Sequence, residues 1–375
     1  MVAQRCLRPA PVFDEPALRR AFEAAGVKEV HLGAVWQHVI SSAGAGRPED
    51  APGLPGSARE VLQRHFAAVT SSVQEVKTSA DGSTSKLLIR LQDGLQVEAV
   101  IMRYDASAGR YAGGPRPGGP RATLCVSSQV GCKMGCTFCA TGTMGLLGDL
   151  AAGEIVEQLF HASQICPIRN VVFMGMGEPL NNYSAVVAAV RTLTAPRAFG
   201  LSPSHVTVST VGVIPRMLTL PADLPGVRLA LSLHAPTQAL RATLVPAARA
   251  YPLDRLMAAL DAYQAASGGG VLVEYVMLDG VNDREEDAAA LGALLRGRDV
   301  FVNLIPYNPA AAADTYRPSS ALSLGYFQHV LRDGHGLHAT VRQEMGQDIA
   351  GACGQLAAQA AGPQRTPDIE DIASP

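Results

Sequence analysis

The 375-residue chain contains no uncharged apolar run of 18 residues, so no helical membrane span is expected. Its N-terminus lacks the apolar core of a secretory signal. Acidic residues arrive by Asp14 and Glu15, which argues against a long organelle transit peptide and leaves only a short one open. A cytoplasmic protein is the expectation. Lysine is scarce, with only Lys28, Lys77, Lys86 and Lys133, so arginine supplies most of the positive charge. Arginine suits fixed bidentate contacts to phosphate, but any folded surface would use it too. A net charge of -2 gives no global basic footprint for nucleic acid. With 17% charged residues and a mean hydropathy of +0.13, the composition fits a soluble globular enzyme. No repeat recurs at a fixed period, which argues against a solenoid.

What is present begins with helices. Residues 13–25 place Leu18 and Phe22 on one face, with Asp14 as a cap and Pro16 in the first turn. Residues 30–42 put Val30, Val35, Trp36, Val39 and Ile40 in a second amphipathic helix. Ser57 and Glu60 read as a capping box before Val61, Leu62 and Phe66. The period then changes to two. Ser72–Thr78, Lys86–Leu91 and Leu95–Met102 alternate as strands, with Asp81-Gly82 and Asp93-Gly94 as turns. The spacing therefore predicts a small N-terminal helical plus β-meander domain over 1–104. A Gly/Pro-rich linker over 105–120 follows.

From residue 121 strands and helices alternate. Strands are expected at Thr123–Ser127, Asn170–Met174, His205–Ser209, Arg228–Leu233, Leu272–Met277, Phe301–Ile305 and Ala339–Arg342. Helices are expected at Gly153–Ser163, Tyr183–Leu193, Leu253–Ala266, Arg284–Arg296 and Leu322–Asp333. About six such units predict an α/β fold, a partial TIM-type (β/α)6 barrel over 121–356, with a polar, disordered tail over 357–375.

The seven cysteines are odd in number and form no small disulfide framework. Cys132, Cys136 and Cys139 are spaced C-x3-C-x2-C, which reads as a metal site in a reducing compartment. Three thiolates can hold one cuboidal iron–sulfur cluster and leave one iron open to substrate, whereas four saturate it. The alternative is a structural zinc. Closed zinc sites usually pair two C-x2-C units or add a near histidine, and neither lies close by. The trio follows the first barrel strand, at the end where barrel active sites are built. Phe138 is placed either to shield such a cluster from water or simply to pack in the core. A free cysteine is usually a small buried hydrophobe, and that reading is kept for Cys6 and Cys166.

Further along, CVSSQVGC, GCTFCATG, FMGMGEPLNN, STVG, LSLHAPT, NLIPYNP and ACGQL stand in order over roughly residues 85–356. Together they resemble the radical S-adenosylmethionine superfamily and, within it, the RlmN/Cfr family of RNA adenine methyltransferases. The resemblance implies a radical S-adenosylmethionine barrel with a 4Fe–4S cluster on Cys132, Cys136 and Cys139. Gly177 and Glu178 are implied to bind the amino end of S-adenosylmethionine, and Gly175 and Gly177 to allow close approach of a ligand. Ser209, Ser232, Leu233, His234 and Asn308 are implied to hold its other polar groups. Without the resemblance, a lone histidine at a strand end is more often a satisfied structural residue.

The implied chemistry uses two S-adenosylmethionine molecules per turnover. One methylates Cys353. The second is cleaved at the reduced cluster to a 5'-deoxyadenosyl radical, which takes a hydrogen from the cysteine-bound methyl. The resulting methylene radical adds to adenine, and Glu98 accepts the ring proton. From alternation alone, Glu98 reads equally well as an exposed residue on a polar strand face. Cys125 then attacks Cys353, forming a disulfide that releases the RNA, a step that needs a thiolate. The glycines at 346, 351 and 354 are expected to keep the Cys353 segment mobile.

Ribosomal RNA is the implied substrate, with transfer RNA as a second. Flavodoxin or ferredoxin is the implied electron donor, and a monomer the implied state. Adenine C2 is expected, with C8 as the alternative. Several stretches, including VMLDGVND and YPLDRLM, lean toward the Cfr branch. Ala350 and Gly351 depart from the family's DIDAACGQL, and Gln343–Gly346 lacks its TRG. The N-terminal helices are expected to grip RNA through Arg19, Arg20, Arg64 and His65, or else to act as a lid. The remaining rivals are a radical enzyme on a protein or small molecule, and a non-catalytic, metal-stabilised RNA-binding module.

Overall fold

The computed structural model describes residues 5, 7–104, 110–111, 114–115, 121–309 and 316–357. Cys6, most of the expected linker and the tail lie outside the described residues.

Three helices open the chain: α1 (Glu15–Ala24), α2 (Leu32–Ser41) and α3 (Gly56–His65). The Asp14 carboxylate caps α1 by accepting from the Ala17 N–H at 3.0 Å, and Leu18 and Phe22 are buried. Two expectations fail here. Val30 precedes α2 and is 63% exposed, because the chain enters that helix through a short 3-10 turn, Glu29–His31. Ser57 and Glu60 do not cap α3. That helix begins at Gly56 after Pro55, with no side-chain cap.

The meander strands are β1 (Ser72–Thr78), β2 (Thr84–Arg90) and β3 (Gln96–Tyr104). Gly82 and Gly94, in the turns between them, have φ of +70° and +87°. The meander does not form a sheet of its own. β3 pairs antiparallel with the first barrel strand, β4 (Arg121–Cys125), through Val100 opposite Cys125. A hairpin, β5 (Gln129–Cys132) and β6 (Gly145–Asp149), follows β4 and was not expected from the sequence. After it come β7 (Asn170–Phe173), β8 (Val206–Thr210), β9 (Arg228–Ser232), β10 (Val271–Met277), β11 (Val300–Pro306) and β12 (His338–Val341). One ten-stranded sheet results, in the order β12-β11-β10-β9-β8-β7-β4-β3-β2-β1. Within this sheet the pairings along β4-β7-β8-β9-β10-β11-β12 are all parallel.

The connections between parallel strands run through α4 (Ala152–Ser163), α5 (Tyr183–Thr194), α6 (Ile214–Asp223), α7 (Gln238–Leu244), α8 (Leu253–Ser267), α9 (Glu285–Leu295) and α10 (Ala321–His329). The fold is a partial α/β barrel of six strand–helix units with a seventh strand, extended by the meander at one edge. The chain after β12 crosses back to the meander, where Lys86 Nζ donates to the Ala350 carbonyl at 3.2 Å and the Ala80 N–H donates to Asp348 at 2.9 Å.

Glu157 of α4 fastens the helical unit to the sheet. Its buried carboxylate accepts from the N–H groups of Thr70 and Ser71 at 2.7 and 2.8 Å and from both hydroxyls. Burial pushes this carboxyl up to about 7, while those donors pull it back. Glu157→Ala leaves the donors buried without an acceptor and is expected to cost about 3 kcal/mol. A lower urea midpoint at an unchanged slope would report it.

Candidate active site

The C-terminal ends of the parallel strands converge on one cleft. Cys132, Cys136 and Cys139 all line it. Cys132 ends β5, paired with Gly145 across the ladder, and Cys136 and Cys139 stand in the loop of the β5–β6 hairpin. The loop turns tightly: the Cys139 N–H donates to the Cys136 carbonyl at 3.2 Å, and the Gly142 N–H to the Cys139 carbonyl at 3.0 Å. A Cβ on Gly142 would sit 2.7 Å from the Cys136 carbonyl oxygen, so this position tolerates only glycine. Phe138 is buried with Met134, Cys136 and Val276, and meets His234 edge-on at 4.8 Å between ring centroids.

The donor set fits a cluster. All three thiols are free, and burial pushes Cys132 up to about 12, Cys136 well above the ordinary thiol range, and Cys139 up as well. Thiols held in this way give up their protons to a metal centre, which supplies the missing positive charge. Among the described residues, no three Cys, His, Asp or Glu side chains converge as the shell of a single metal ion would. A mononuclear zinc needs four donors about 2.3 Å or less from one point. A cuboidal cluster takes one thiolate per iron and needs them spread.

The expected cofactor residues mostly gather at the same cleft. Glu178, 3% exposed, accepts from the Leu180 N–H at 3.0 Å and the Val211 N–H at 2.9 Å. Burial pushes its carboxyl up to about 7, so an arriving ammonium group would favour the charged form. Ser209 and Ser232 touch through their hydroxyls at 3.2 Å. His234 has φ of +61°, rare for a side-chain-bearing residue. Its Nδ1 accepts from the Val276 N–H at 3.1 Å, and burial drives the imidazolium down to about 3. The ring is therefore neutral, with its proton on Nε2 as a donor. Asn308 donates to the Cys353 carbonyl at 3.2 Å and accepts from Gln347 at 2.7 Å.

Three expectations need correction or extension. Leu233 is fully buried and stands behind the cleft, where its carbonyl accepts from Arg241 at 3.0 Å. Gly177 lines the cleft with φ of +99°, but the space a Cβ would take belongs to Gln129, 2.6 Å away. At Gly175 that space is held by the Val126 carbonyl oxygen, also at 2.6 Å. Both glycines are therefore required for close packing of the chain on itself, and both also line the cleft. The Cys353 segment is tied down rather than loose. Gly354 accepts from the Ala140 N–H at 2.8 Å, Leu356 from the Thr141 hydroxyl at 2.5 Å, and the Ala357 N–H donates to Glu98 at 2.9 Å. A Cβ at Gly346 would meet Thr84 at 2.6 Å.

Cys125 and Cys353 line a second, much smaller cavity next to the first. Both are free thiols. Burial first, and the Cys353 sulfur second, push Cys125 up to about 12, while Arg342 pulls it back. Arg342, at the end of β12, borders both cavities, and its guanidinium is held protonated above its ordinary value chiefly by the Cys353 sulfur. The sequence reading missed this arginine. It also missed Glu274, a buried acid inside the apolar run of β10 that accepts from Asn303 at 3.1 Å. The signal for Glu274 was there: a carboxylate at an inward position of a barrel strand is costly unless it is used or paired.

Glu98 is 6% exposed, so the exposed reading fails. It pairs with Lys86 at 2.8 Å. It shares a strand face with Val100 and Met102, which line the second cavity, but does not line that cavity itself. The basic residues of the N-terminal helices are partly neutralised. Arg19 sits between Glu15 and Glu29, and Arg64 lies 3.7 Å from Glu60.

A parallel barrel with a three-cysteine loop at its C-terminal mouth and a buried acid facing it defines a radical S-adenosylmethionine protein. The model of that superfamily matches residues 126–292. The chain is 44% identical to a probable dual-specificity RNA methyltransferase RlmN of Frankia casuarinae, over 88% of this chain and 78% of that one. It is 40% identical to dual-specificity RNA methyltransferase RlmN 1 of Myxococcus xanthus, over 93% and 94%. The chain therefore belongs to the RlmN family of radical S-adenosylmethionine RNA methyltransferases. A solved radical SAM methyltransferase from Sphaerobacter thermophilus superposes with a TM-score of 0.81 at 36% identity, covering 94% of this chain and all of that one.

Proposed function

We propose that this enzyme methylates an adenine ring carbon, C2, in large-subunit ribosomal RNA and in transfer RNA, with the methyl carried first on Cys353. The observation that supports this reading best is the shared cavity of Cys125 and Cys353, bordered by Arg342 beside the three-cysteine cleft. A radical enzyme that handed its radical straight to substrate would need no such thiol pair. Cys132, Cys136 and Cys139 would hold a 4Fe–4S cluster, which when bound would supply one-electron chemistry to S-adenosylmethionine. Glu178 holds the cofactor's ammonium, and Ser209, Ser232, His234 and Asn308 orient its polar groups; Gly177 shapes the turn that carries Glu178. One cofactor molecule provides the methyl and a second the radical, so two are used per turnover. Flavodoxin or ferredoxin is the reductant, the protein acts as a monomer, and it works in the cytoplasm. No helix among the described residues is long and apolar enough to cross a membrane.

Anaerobic reconstitution followed by nucleoside mass spectrometry of ribosomal and transfer RNA fragments tests the reading. The expected product is 2-methyladenosine from both. 8-Methyladenosine alone would overturn the C2 assignment, and no methylated adenosine at all would overturn the substrate assignment.

In this reading Glu98 takes the ring proton after the methylene carbon has joined adenine. The carboxylate pairs with Lys86 at 2.8 Å and accepts from the Ala357 N–H at the end of the Cys353 segment. Glu98→Gln keeps the shape and is expected to slow product release by about 100-fold or more, with RNA accumulating on the protein. Turnover within threefold of the parent would reduce Glu98 to a tether for the chain end.

A further inference from the structure

Arg241 of α7 is fully buried, at 0% exposure. Its Nε donates to the Leu233 carbonyl at 3.0 Å, and its Nη2 to the carbonyls of Val211 at 2.5 Å and Ser232 at 3.3 Å. Nη1 is buried with no hydrogen-bond partner. Among the described residues no carboxylate forms an ion pair with it. A buried cation is ordinarily paired, since an uncompensated one is costly. Burial lowers this guanidinium to about 10, so it stays charged at neutral pH. Its helix packs on the cysteine loop, where the Thr137 N–H donates to the Leu244 carbonyl at 3.0 Å. Arg241 stands directly behind the cleft wall, since Val211, Ser232, His234 and Cys136 all line the cleft and Arg241 does not.

We propose that Arg241 is the built-in counter-charge of the iron–sulfur cluster, a positioning residue that raises the cluster's reduction potential from behind the cleft wall; this rests on the cluster assignment to Cys132, Cys136 and Cys139. The chain supplies a cation without an anion at the place where an anionic group is due. A cuboidal 4Fe–4S core on three thiolates is net negative, and reduction adds one more negative charge. A fixed positive charge in a low-dielectric wall stabilises the reduced form more than the oxidised one. Cluster potentials respond to net charge and surroundings in this way. The same side chain holds the carbonyls of Val211, Ser232 and Leu233, so charge and scaffolding must be separated by experiment.

Two full-chain variants do so, Arg241→Gln and Arg241→Lys, each reconstituted anaerobically and compared with the parent for iron per chain and for the reduced fraction at poised potentials. At the potential that half-reduces the parent, the reduced-to-oxidised ratio in Arg241→Gln is expected to fall about tenfold, equivalent to a midpoint about 59 mV more negative. Arg241→Lys keeps the charge, loses the fork of carbonyl bonds, and is expected to stay within threefold of the parent. Equal shifts in both variants, or no shift in an iron-replete Arg241→Gln, would overturn the proposal. If Arg241→Gln loses its iron, retention by Arg241→Lys supports the charge role, and loss by both assigns the residue to scaffolding. An iron-free parent would sink the cluster assignment itself, and this inference with it.

Discussion

Cys125→Ala is expected to arrest the protein as a covalent complex with its RNA. In the proposed mechanism the methylene carbon bridges Cys353 and adenine, and release then requires a second sulfur to attack the Cys353 sulfur. Among the described residues, Cys125 is the other free thiol lining the second cavity with Cys353, while Cys132, Cys136 and Cys139, which line the first cleft with it, are assigned to the cluster in the proposed reading. Alanine at 125 removes the attacking atom and little else, because the position is held by the β3–β4 ladder opposite Val100. The adduct should appear on a denaturing gel as a protein band of raised mass that nuclease digestion collapses. Multiple-turnover methylation should fall more than about 1000-fold, as when a nucleophile is removed from its partners. The parent protein carries a second signature. Burial pushes Cys125 up to about 12, so only a small fraction is thiolate at neutral pH. Release should therefore quicken by about tenfold per pH unit through the neutral range, as the thiolate fraction rises. A flat release rate with pH, or no retained RNA in Cys125→Ala, would rule out this role.

The barrel was readable because its strands and helices announce themselves by period. Each of the seven parallel strands falls within a residue or two of its expected place, since Val, Leu and Ile runs bounded by turn residues leave little choice. The edge was not readable. Nothing in Gln96–Tyr104 tells whether its neighbour is another meander strand or a barrel strand, and the structure makes it both. The β5–β6 hairpin was hidden because its strands are short and rich in glycine, and their pairing is set by the turn they enclose. At the site, the family resemblance pointed to Glu178, Ser209, His234 and Asn308, and all four line the cleft. Arg241 and Arg342 escaped because a buried arginine looks in sequence like a surface one. Only the fold shows that the first lacks a counter-ion and that the second borders two thiols. Leu233 misled for the opposite reason: it belongs to a motif whose neighbours face the cleft, while its own side chain turns inward.

Cys353→Ala is expected to abolish methyl transfer altogether, and to do so without an adduct. The distinction from Cys125→Ala follows from the order of the proposed steps: if Cys353 is the methyl carrier, its loss leaves nothing to become attached to adenine. The segment should survive the change. Its anchors are backbone and neighbouring side chains, with Asn308 on the 353 carbonyl at 3.2 Å, Ala140 on Gly354 at 2.8 Å and Ala357 on Glu98 at 2.9 Å. None of these bonds uses the thiol, and the side chain is only partly buried, so the stability cost should stay within about 1 kcal/mol. Iron content and unfolding midpoint are therefore expected to match the parent while RNA methylation drops more than about 1000-fold. The double variant Cys125→Ala, Cys353→Ala should behave as Cys353→Ala alone, since a step that never begins cannot be trapped. An adduct in the double variant would mean that another residue carries the methyl. Methylation retained in Cys353→Ala would mean that the radical reaches the base without a protein-bound carrier.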